Sequence, residues 1–122
     1  MELTSSRYGN LVVVVPAGRL DHVAAGAFEG VLLPLCQDPA TAAVVLDFSA
    51  VTYISSIGLR VLMVAAKQMR GRHARIAVAG LQSIVAEIFA ISRFDAVLEV
   101  FPAVRDALGV IAPDALAGYG AN

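Results

Sequence analysis

Two short, almost continuous apolar segments constrain the fold of this chain more than any other feature. Leu11–Val15 and Ala43–Phe48 are rich in β-branched residues and have the length of strands that are buried on both faces. The apolar residues between them recur at helical spacing: Val23, Ala27, Phe28, Val31, Leu32 and Leu35. A strand, a helix and a second strand in this order are typical of a crossover between parallel strands. The chain is therefore predicted to be an α/β protein.

Turn residues place the elements at the start of the chain. Gly9-Asn10 indicates a two-residue hairpin turn that joins a polar first strand to the apolar second strand. Pro16 lacks an N–H donor, so we expect the second strand to end there. We expect Gly18–Asp21 to be a loop, with Asp21 capping the first helix.

The rest of the chain continues the alternation of strands and helices. Ser49–Ile57 is assigned as a connection, and the helix that follows it is expected to end at Gly71. Two further short strands alternate with two helices, the last of which begins after Pro102. The predicted order is ββαβαβαβα, a mixed sheet covered mainly on one side by about four helices. Residues 1–111 form the predicted domain, and residues 112–122, rich in Ala, Gly and Pro, are expected to be a loosely ordered tail.

Composition excludes several classes of function. Although 58% of the residues are hydrophobic, no apolar run approaches the roughly 20 residues that span a bilayer. The first residues lack the pattern of a signal peptide, and the only cysteine, Cys36, is expected to be a reduced, buried thiol, so we expect a cytoplasmic protein without membrane insertion. The net charge of −1 predicts no direct binding of nucleic acid. The basic residues 60–75 are interpreted as charges near the end of a helix.

The residues that usually carry catalysis do not form a recognisable set. His22 and His73 have no nucleophile at a typical spacing, and Ser55-Ser56-Ile57-Gly58 is not a Gly-x-Ser-x-Gly elbow. The sequence shows no zinc-type cluster of His and Cys and no glycine-rich phosphate loop. We therefore expect no enzymatic activity, no metal and no cofactor.

One polar segment at a strand-to-helix corner stands out. Asp47–Arg60 (DFSAVTYISSIGLR) leaves a predicted buried strand and enters a helix, and Ser56 stands where the N-cap of that helix is expected. A capping hydroxyl is one interpretation, since it satisfies a free N–H group at the start of the helix. A phosphorylated switch is the other.

This segment resembles the signature of STAS domains, a family named after sulfate transporters and anti-sigma-factor antagonists. In the stand-alone bacterial members, a strand ending Asp-apolar-Ser is followed by Asp-Ser, a small residue and Gly-Leu. Gly18-Arg19-Leu20-Asp21 is similar to the Gly-x-Leu-Asp loop of the family, and Phe101–Leu108 is similar to its closing helix. The resemblance covers roughly residues 8–110. It implies a single STAS-like domain.

The resemblance also implies a regulatory cycle called partner switching. The unphosphorylated antagonist binds an anti-sigma factor that is also a serine kinase, and this binding releases the sigma factor. The kinase then phosphorylates the serine of the motif, and a serine phosphatase restores it. Aligned on Gly58-Leu59, that serine is Ser56. Because this chain has Ser55 where the family commonly has Asp, Ser55 is the alternative site; Ile57 replaces the usual small residue.

The candidate partner-binding residues lie in two segments of the chain. They are Gly18, Arg19, Leu20, Asp21, Ile54, Ser55, Ser56, Ile57, Leu59 and Arg60. The alternative function is that of a STAS accessory subunit of an ABC-type lipid-transport complex. The polar first strand gives little incentive for edge pairing, so a monomer or weak homodimer is expected.

Overall fold

The computed structural model describes residues 1–120, which form six strands and five helices. The strands are β1 (Glu2–Tyr8), β2 (Leu11–Leu20), β3 (Ala43–Asp47), β4 (Val51–Ile54), β5 (Arg75–Ala79) and β6 (Glu99–Phe101). The helices are α1 (Ala25–Gln37), α2 (Ser56–Gly71), α3 (Ser83–Ile91), α4 (Val104–Ile111) and α5 (Leu116–Gly120). Short 3-10 turns lie at Phe94–Ala96 and Pro113–Ala115. The predicted α/β class is confirmed.

The strands form one mixed sheet in the order β1-β2-β3-β5-β6. β1 pairs antiparallel with β2 across the predicted Gly9-Asn10 turn, where Gly9 has a φ of 65°. The pairs β2–β3, β3–β5 and β5–β6 are parallel. The crossover predicted between the two apolar segments is therefore confirmed, and the polar β1 lies at an edge of the sheet.

The second strand is longer than predicted. It continues through Pro16 to Leu20, so the prediction that it ends at Pro16 is wrong. Its parallel pairing with β3 ends at Val14, and its parallel pairing with β4 begins at Gly18. Pro16 lies between these two parallel ladders, and its partner in the sheet is Leu3 of the edge strand β1, a position where proline is tolerated.

The segment assigned as a connection also contains a strand. Val51–Ile54 forms β4, which pairs with the end of β2 and lies off the main strand path. A strand of this length gives too short a pattern to be separated from a loop by its sequence alone. Its pairing partner, the end of β2, is distant in the chain.

Two apolar clusters lie on opposite faces of the sheet. The larger cluster packs α1, α2 and α3 on one face through residues such as Phe28, Leu62 and Phe89. The second cluster packs α4 on the other face through Val104, Ala107 and Leu108. Most of the described helices therefore cover one face, as predicted, while α4 and α5 close the other.

The end of the described chain packs against the second cluster. Pro113–Ala115 and Leu116–Gly120 form helical turns in place of the loose tail that was expected. Leu116 and Tyr119 are partly buried against the second cluster, and the Tyr119 ring meets the Tyr8 ring edge-on at 5.8 Å between centroids. The loose tail was also predicted for residues 121–122, which lie outside the described residues.

Candidate functional site at the carboxyl ends of β2 and β4

The two predicted motifs meet where β2 and β4 end side by side. Arg19 pairs with Tyr53 and Leu20 pairs with Ile54 in a parallel ladder. The Ser55 N–H then donates a hydrogen bond to the Leu20 carbonyl oxygen at 2.9 Å. The structure therefore brings the Gly18–Asp21 segment and the serine segment to one edge of the sheet.

A bulge at Gly18 adjusts the register of this pair. Gly18 pairs with Val51 but Arg19 pairs with Tyr53, so β4 has an extra residue at this point. Gly18 has a φ of 104°, and its N–H donates to the Ala50 carbonyl oxygen at 2.9 Å. Glycine is suited to this position because residues with a Cβ rarely adopt such a φ. Arg19, the next residue, is exposed.

The helix cap is Ser55, and the prediction that Ser56 occupies the cap is wrong by one residue. Ser55 has an extended backbone, and its Oγ accepts a hydrogen bond from the Gly58 N–H at 3.2 Å. Ser56 is the first residue of α2, and its side chain is exposed. Ser55 therefore caps α2, while the neighbouring Ser56 presents an exposed hydroxyl.

Close packing beneath the serines explains the glycine at position 58. A Cβ built on Gly58 would lie 2.9 Å from Ile54 Cγ1 and 3.1 Å from the Leu20 carbonyl oxygen. Contacts this short are not tolerated without movement of the backbone. Gly58 therefore lets α2 begin directly against the ends of β2 and β4.

Three predicted partner-binding residues do not present their side chains freely. Leu20 and Ile54 are buried in the larger core cluster, and Leu59 is partly buried against it. The structure therefore keeps the Leu20 and Ile54 side chains off the surface, because both support the start of α2. Both side chains lie against Gly58 in the first turn of α2.

The remaining serine-segment residues form the outer side of the corner. Ser56 and Arg60 are exposed, and Ile57 is 47% exposed. Arg60 lies one helical turn after Ser56. The Arg19 guanidinium stacks over the Tyr53 ring at 4.5 Å from its centroid, and this cation–π contact is electrostatically favourable. A hydroxyl is thus displayed beside apolar and cationic side chains.

The prediction that Asp21 caps α1 is wrong: the N-cap of α1 is Ala24, without a side-chain cap hydrogen bond, and Asp21 lies in the turn before the helix. Its Oδ1 accepts a hydrogen bond from the Ala24 N–H at 2.9 Å, in the turn before α1. This hydrogen bond is the main reason that the pKa of the Asp21 carboxyl lies below its ordinary value. The carboxylate is therefore charged at neutral pH.

Val23 is a surface residue that the sequence analysis missed. Its periodicity assigned it to the buried face of α1, but α1 begins at Ala25 and Val23 is 78% exposed. With Met1, Arg19 and Asp21 it lines an open cleft of about 540 Å³.

We call the half-buried Asp21 and the exposed residues at this end of the sheet the Ser56 edge: Arg19, Asp21, Val23, Ser56, Ile57 and Arg60. It combines two exposed aliphatic side chains with charges of both signs. Exposed apolar residues rimmed by polar ones are typical of protein-binding surfaces. The geometry is suited to a docked protein.

Two arginines in the basic stretch after Arg60 form hydrogen bonds or ion pairs within the protein. Arg72 donates to the carbonyl oxygens of Cys36, Asp38 and Thr41 at 2.7–2.9 Å and so closes the end of α1. Arg75 forms an ion pair with Glu99. These two cations have partners within the protein, which supports the structural interpretation of the stretch.

Within residues 1–120, none of the helices is long and apolar enough to cross a membrane. The same residues contain no group of three or more His, Cys, Asp or Glu side chains that would hold a metal ion.

Comparison with known proteins identifies the family. The family model described as STAS domain matches residues 3–107. A Bordetella bronchiseptica protein named as an anti-sigma factor antagonist, BtrV, is 33% identical over 102 residues, which are 84% of each chain.

Solved structures show the same fold. An anti-sigma factor antagonist from Mycobacterium paratuberculosis superimposes with a TM-score of 0.83 at 24% identity, over 90% of this chain and 92% of that one. The Bacillus cell fate determinant SpoIIAA in its phosphorylated form gives a TM-score of 0.70 at 14% identity, over 88% of this chain and 97% of that one. The family match spans nearly the whole domain, and the chain therefore belongs to the STAS domain family.

Proposed function

We propose that this protein is an anti-sigma-factor antagonist that works by partner switching at Ser56. In the unphosphorylated state, the Ser56 edge binds an anti-sigma factor that is also a serine kinase. Phosphorylation of Ser56 releases the kinase, and a serine phosphatase reverses the modification. The observation that carries this proposal is an exposed hydroxyl at the first residue of α2, next to the exposed Ile57. The name of the Bordetella relative supports it.

The fold is suited to carry a phosphate at this position. The first N–H groups of a helix lack intrahelical acceptors, and the helix dipole favours negative charge there. Arg60, one turn along, lies within the reach of a charge-assisted hydrogen bond to such a group. That SpoIIAA has the same fold in its phosphorylated form supports this step.

An apolar interface is not suited to that charge. Phosphorylation adds about −1.5 to −2 charges at neutral pH. If Ile57 and Val23 are covered by the partner, the phosphate must lose its water when the partner docks. The penalty is of the order of several kcal/mol per buried ion, and about 1.4 kcal/mol corresponds to a tenfold loss of affinity. A weakening of about a hundredfold therefore needs no conformational change in the antagonist.

The geometry favours Ser56 over Ser55 as the modified residue. The Ser55 Oγ is occupied as the acceptor of the Gly58 N–H, and its side chain is half-buried. The Ser56 side chain is exposed, so a kinase can approach its Oγ. In this proposal the protein is the substrate of two enzymes and has no catalytic role of its own.

The proposal is tested by incubating the protein with the anti-sigma kinase of its source organism and ATP, and then locating the phosphate by tandem mass spectrometry. We expect modification of Ser56 in the wild type and in Ser55→Ala, and none in Ser56→Ala. Phosphate on Ser55, or on neither serine, would contradict the proposal.

Affinity provides the second readout. Isothermal titration with the kinase is expected to give similar dissociation constants for the wild type and Ser56→Ala, and a constant about a hundredfold weaker for Ser56→Asp. Ser6→Asp is the matched control, because it adds the same charge to an exposed residue of the edge strand β1. Equal affinities for Ser56→Asp and Ser6→Asp would exclude a local electrostatic switch.

A further inference from the structure

A second concave site lies at the opposite end of the sheet from Ser56. It is a cleft of about 580 Å³ beside the first residues of β2, β3 and β5, whereas Ser56 follows the last residue of β4. One wall comes from the hairpin turn and the start of β5, and the other comes from the end of α4 and the turn after it. A volume of this size is within the range of small-molecule sites, roughly 300–1,000 Å³.

The two walls carry opposite charge. His73 and Arg75 line the cleft at the start of β5. Asp114 lines it from the turn after α4. The lining also contains apolar side chains, among them Ala43 and Ile111. The cleft therefore offers basic, apolar and acidic side chains to a ligand that spans it.

Arg75 retains donors for a ligand on the basic side. Its Nε and Nη2 donate to the two carboxylate oxygens of Glu99. A guanidinium carries five N–H donors in a planar fork, so the Nη1 group remains for another acceptor. Arginine is the side chain best matched to the geometry of a carboxylate.

The end of α4 adds negative character to the acidic side. Ile111 is the last residue of α4, and the last turn of this helix contains no basic residue. The carbonyl end of a helix favours a nearby cation, and the last turn of α4 has no cationic side chain to fill this role. Asp114 follows in the next turn and adds an acidic side chain to the same wall.

We propose that this cleft binds a small zwitterion, a molecule that carries one carboxylate and one amino group joined by a short aliphatic chain. The carboxylate binds at Arg75 and His73, the amino group binds at Asp114 and the carbonyl end of α4, and the aliphatic chain lies on Ala43 and Ile111. The cleft is separate from the Ser56 edge, so this inference does not depend on the proposed function.

A titration with ω-amino acids tests the proposal on the full ¹⁵N-labelled chain. The probes are glycine, β-alanine, 4-aminobutanoate and 6-aminohexanoate, with hexanoate and hexylamine as singly charged controls. We expect saturable amide shifts at Asn10, Ala43 and Ala112, with an optimum chain length, and affinity for the best zwitterion about tenfold higher than for either control. No saturable shifts with any zwitterion, or equal binding of hexanoate or hexylamine, would overturn the proposal.

Four variants separate a ligand role from a structural role. Arg75→Gln and Asp114→Asn are each expected to weaken the best zwitterion about tenfold, while Arg70→Gln, outside the cleft, leaves its affinity unchanged. Glu99→Gln breaks the same ion pair but leaves the guanidinium free, so we expect equal or tighter binding. If Glu99→Gln weakened binding as much as Arg75→Gln, the ion pair would matter only for structure and the assigned role of Arg75 would be wrong.

Discussion

At the scale of single residues, two adjacent serines have different tasks because their backbones differ. Ser55 is extended, with φ −87° and ψ 170°, and this directs its hydroxyl to the Gly58 N–H. Ser56 already belongs to α2, so its side chain projects outward at the first turn. One residue type thus serves as a structural cap and as an accessible hydroxyl. The cap holds the first turn in which the accessible hydroxyl lies.

The cap predicts a difference in stability between the two serines. Ser55→Ala should lower the free energy of unfolding by about 1 kcal/mol, because the Gly58 N–H loses its acceptor. Ser55→Asp should stay within about 0.5 kcal/mol of wild type, because Asp caps helices well and suits the dipole. Ser56→Ala should also stay within about 0.5 kcal/mol. Urea unfolding at neutral pH measures all three, and equal losses for the two alanine variants would contradict the assignment.

Cys36 allows a second prediction at this scale. It is a free, buried thiol near the end of α1, and burial raises its pKa from 9.0 to about 11. At pH 8 the thiolate fraction should be about a hundredfold lower than in the unfolded chain, and the side chain is fully buried, so a thiol reagent should react at least about a hundredfold more slowly with the native protein. A Ser6→Cys variant supplies an exposed control thiol. Equal rates in buffer and in urea would contradict the prediction.

The same shift has a defined sign for stability. The thiol ionises at lower pH in the unfolded chain than in the native protein, so ionisation favours unfolding. Below about pH 9 the native state keeps the full contribution, and the free energy of unfolding should fall as the pH rises from 9 towards 11. A Cys36→Ser variant should lack this component of the pH dependence.

At the scale of elements, the site depends on β2 having two partners in succession. Its first half pairs with β3 and its last residues pair with β4. The end of β4 and the start of α2 are consequently held against the end of β2. Gly58 is the point of closest approach, since a Cβ there would meet both Ile54 and Leu20.

This packing predicts opposite effects for two helical glycines. Gly58→Ala should lower the free energy of unfolding by about 1–3 kcal/mol, because the neighbouring backbone must move to accept the methyl group. Gly30→Ala, in α1 with nothing within 4 Å of its Cβ, should raise it by about 0.5–1 kcal/mol through helix propensity. Paired urea titrations measure both. A stabilising Gly58→Ala would show that the corner is looser than described.

At the scale of the whole molecule, the sheet separates two apolar clusters, and different helices cover each of them. α1, α2 and α3 cover the larger cluster, and the Ser56 edge lies at the end of that layer. The second cluster is covered by α4 and by the short α5, which contributes Leu116 and Tyr119. The last described helix is therefore part of the fold.

Truncation tests this role of the chain end. Deletion of residues 113–122 should lower the free energy of unfolding by about 1–3 kcal/mol, because apolar surface of the second cluster becomes exposed. Tyr119→Ala should give a smaller loss, and Ala117→Ser, at an exposed position of α5, should give almost none. A truncated chain with wild-type stability would instead agree with the loose tail expected from the sequence.

The sequence by itself determined the order of the strands and helices apart from β4 and α5, the edge position of β1 and the segment that contains the site. These features depend on local patterns: periodicity, turn residues and the motif at residues 47–60. Only the tertiary structure decided which serine caps α2, that β2 runs past Pro16 to meet β4, and that Leu20 is buried while Val23 is exposed. The physical reason is that burial and pairing depend on residues that are distant in the chain, and a local apolar pattern does not contain that information.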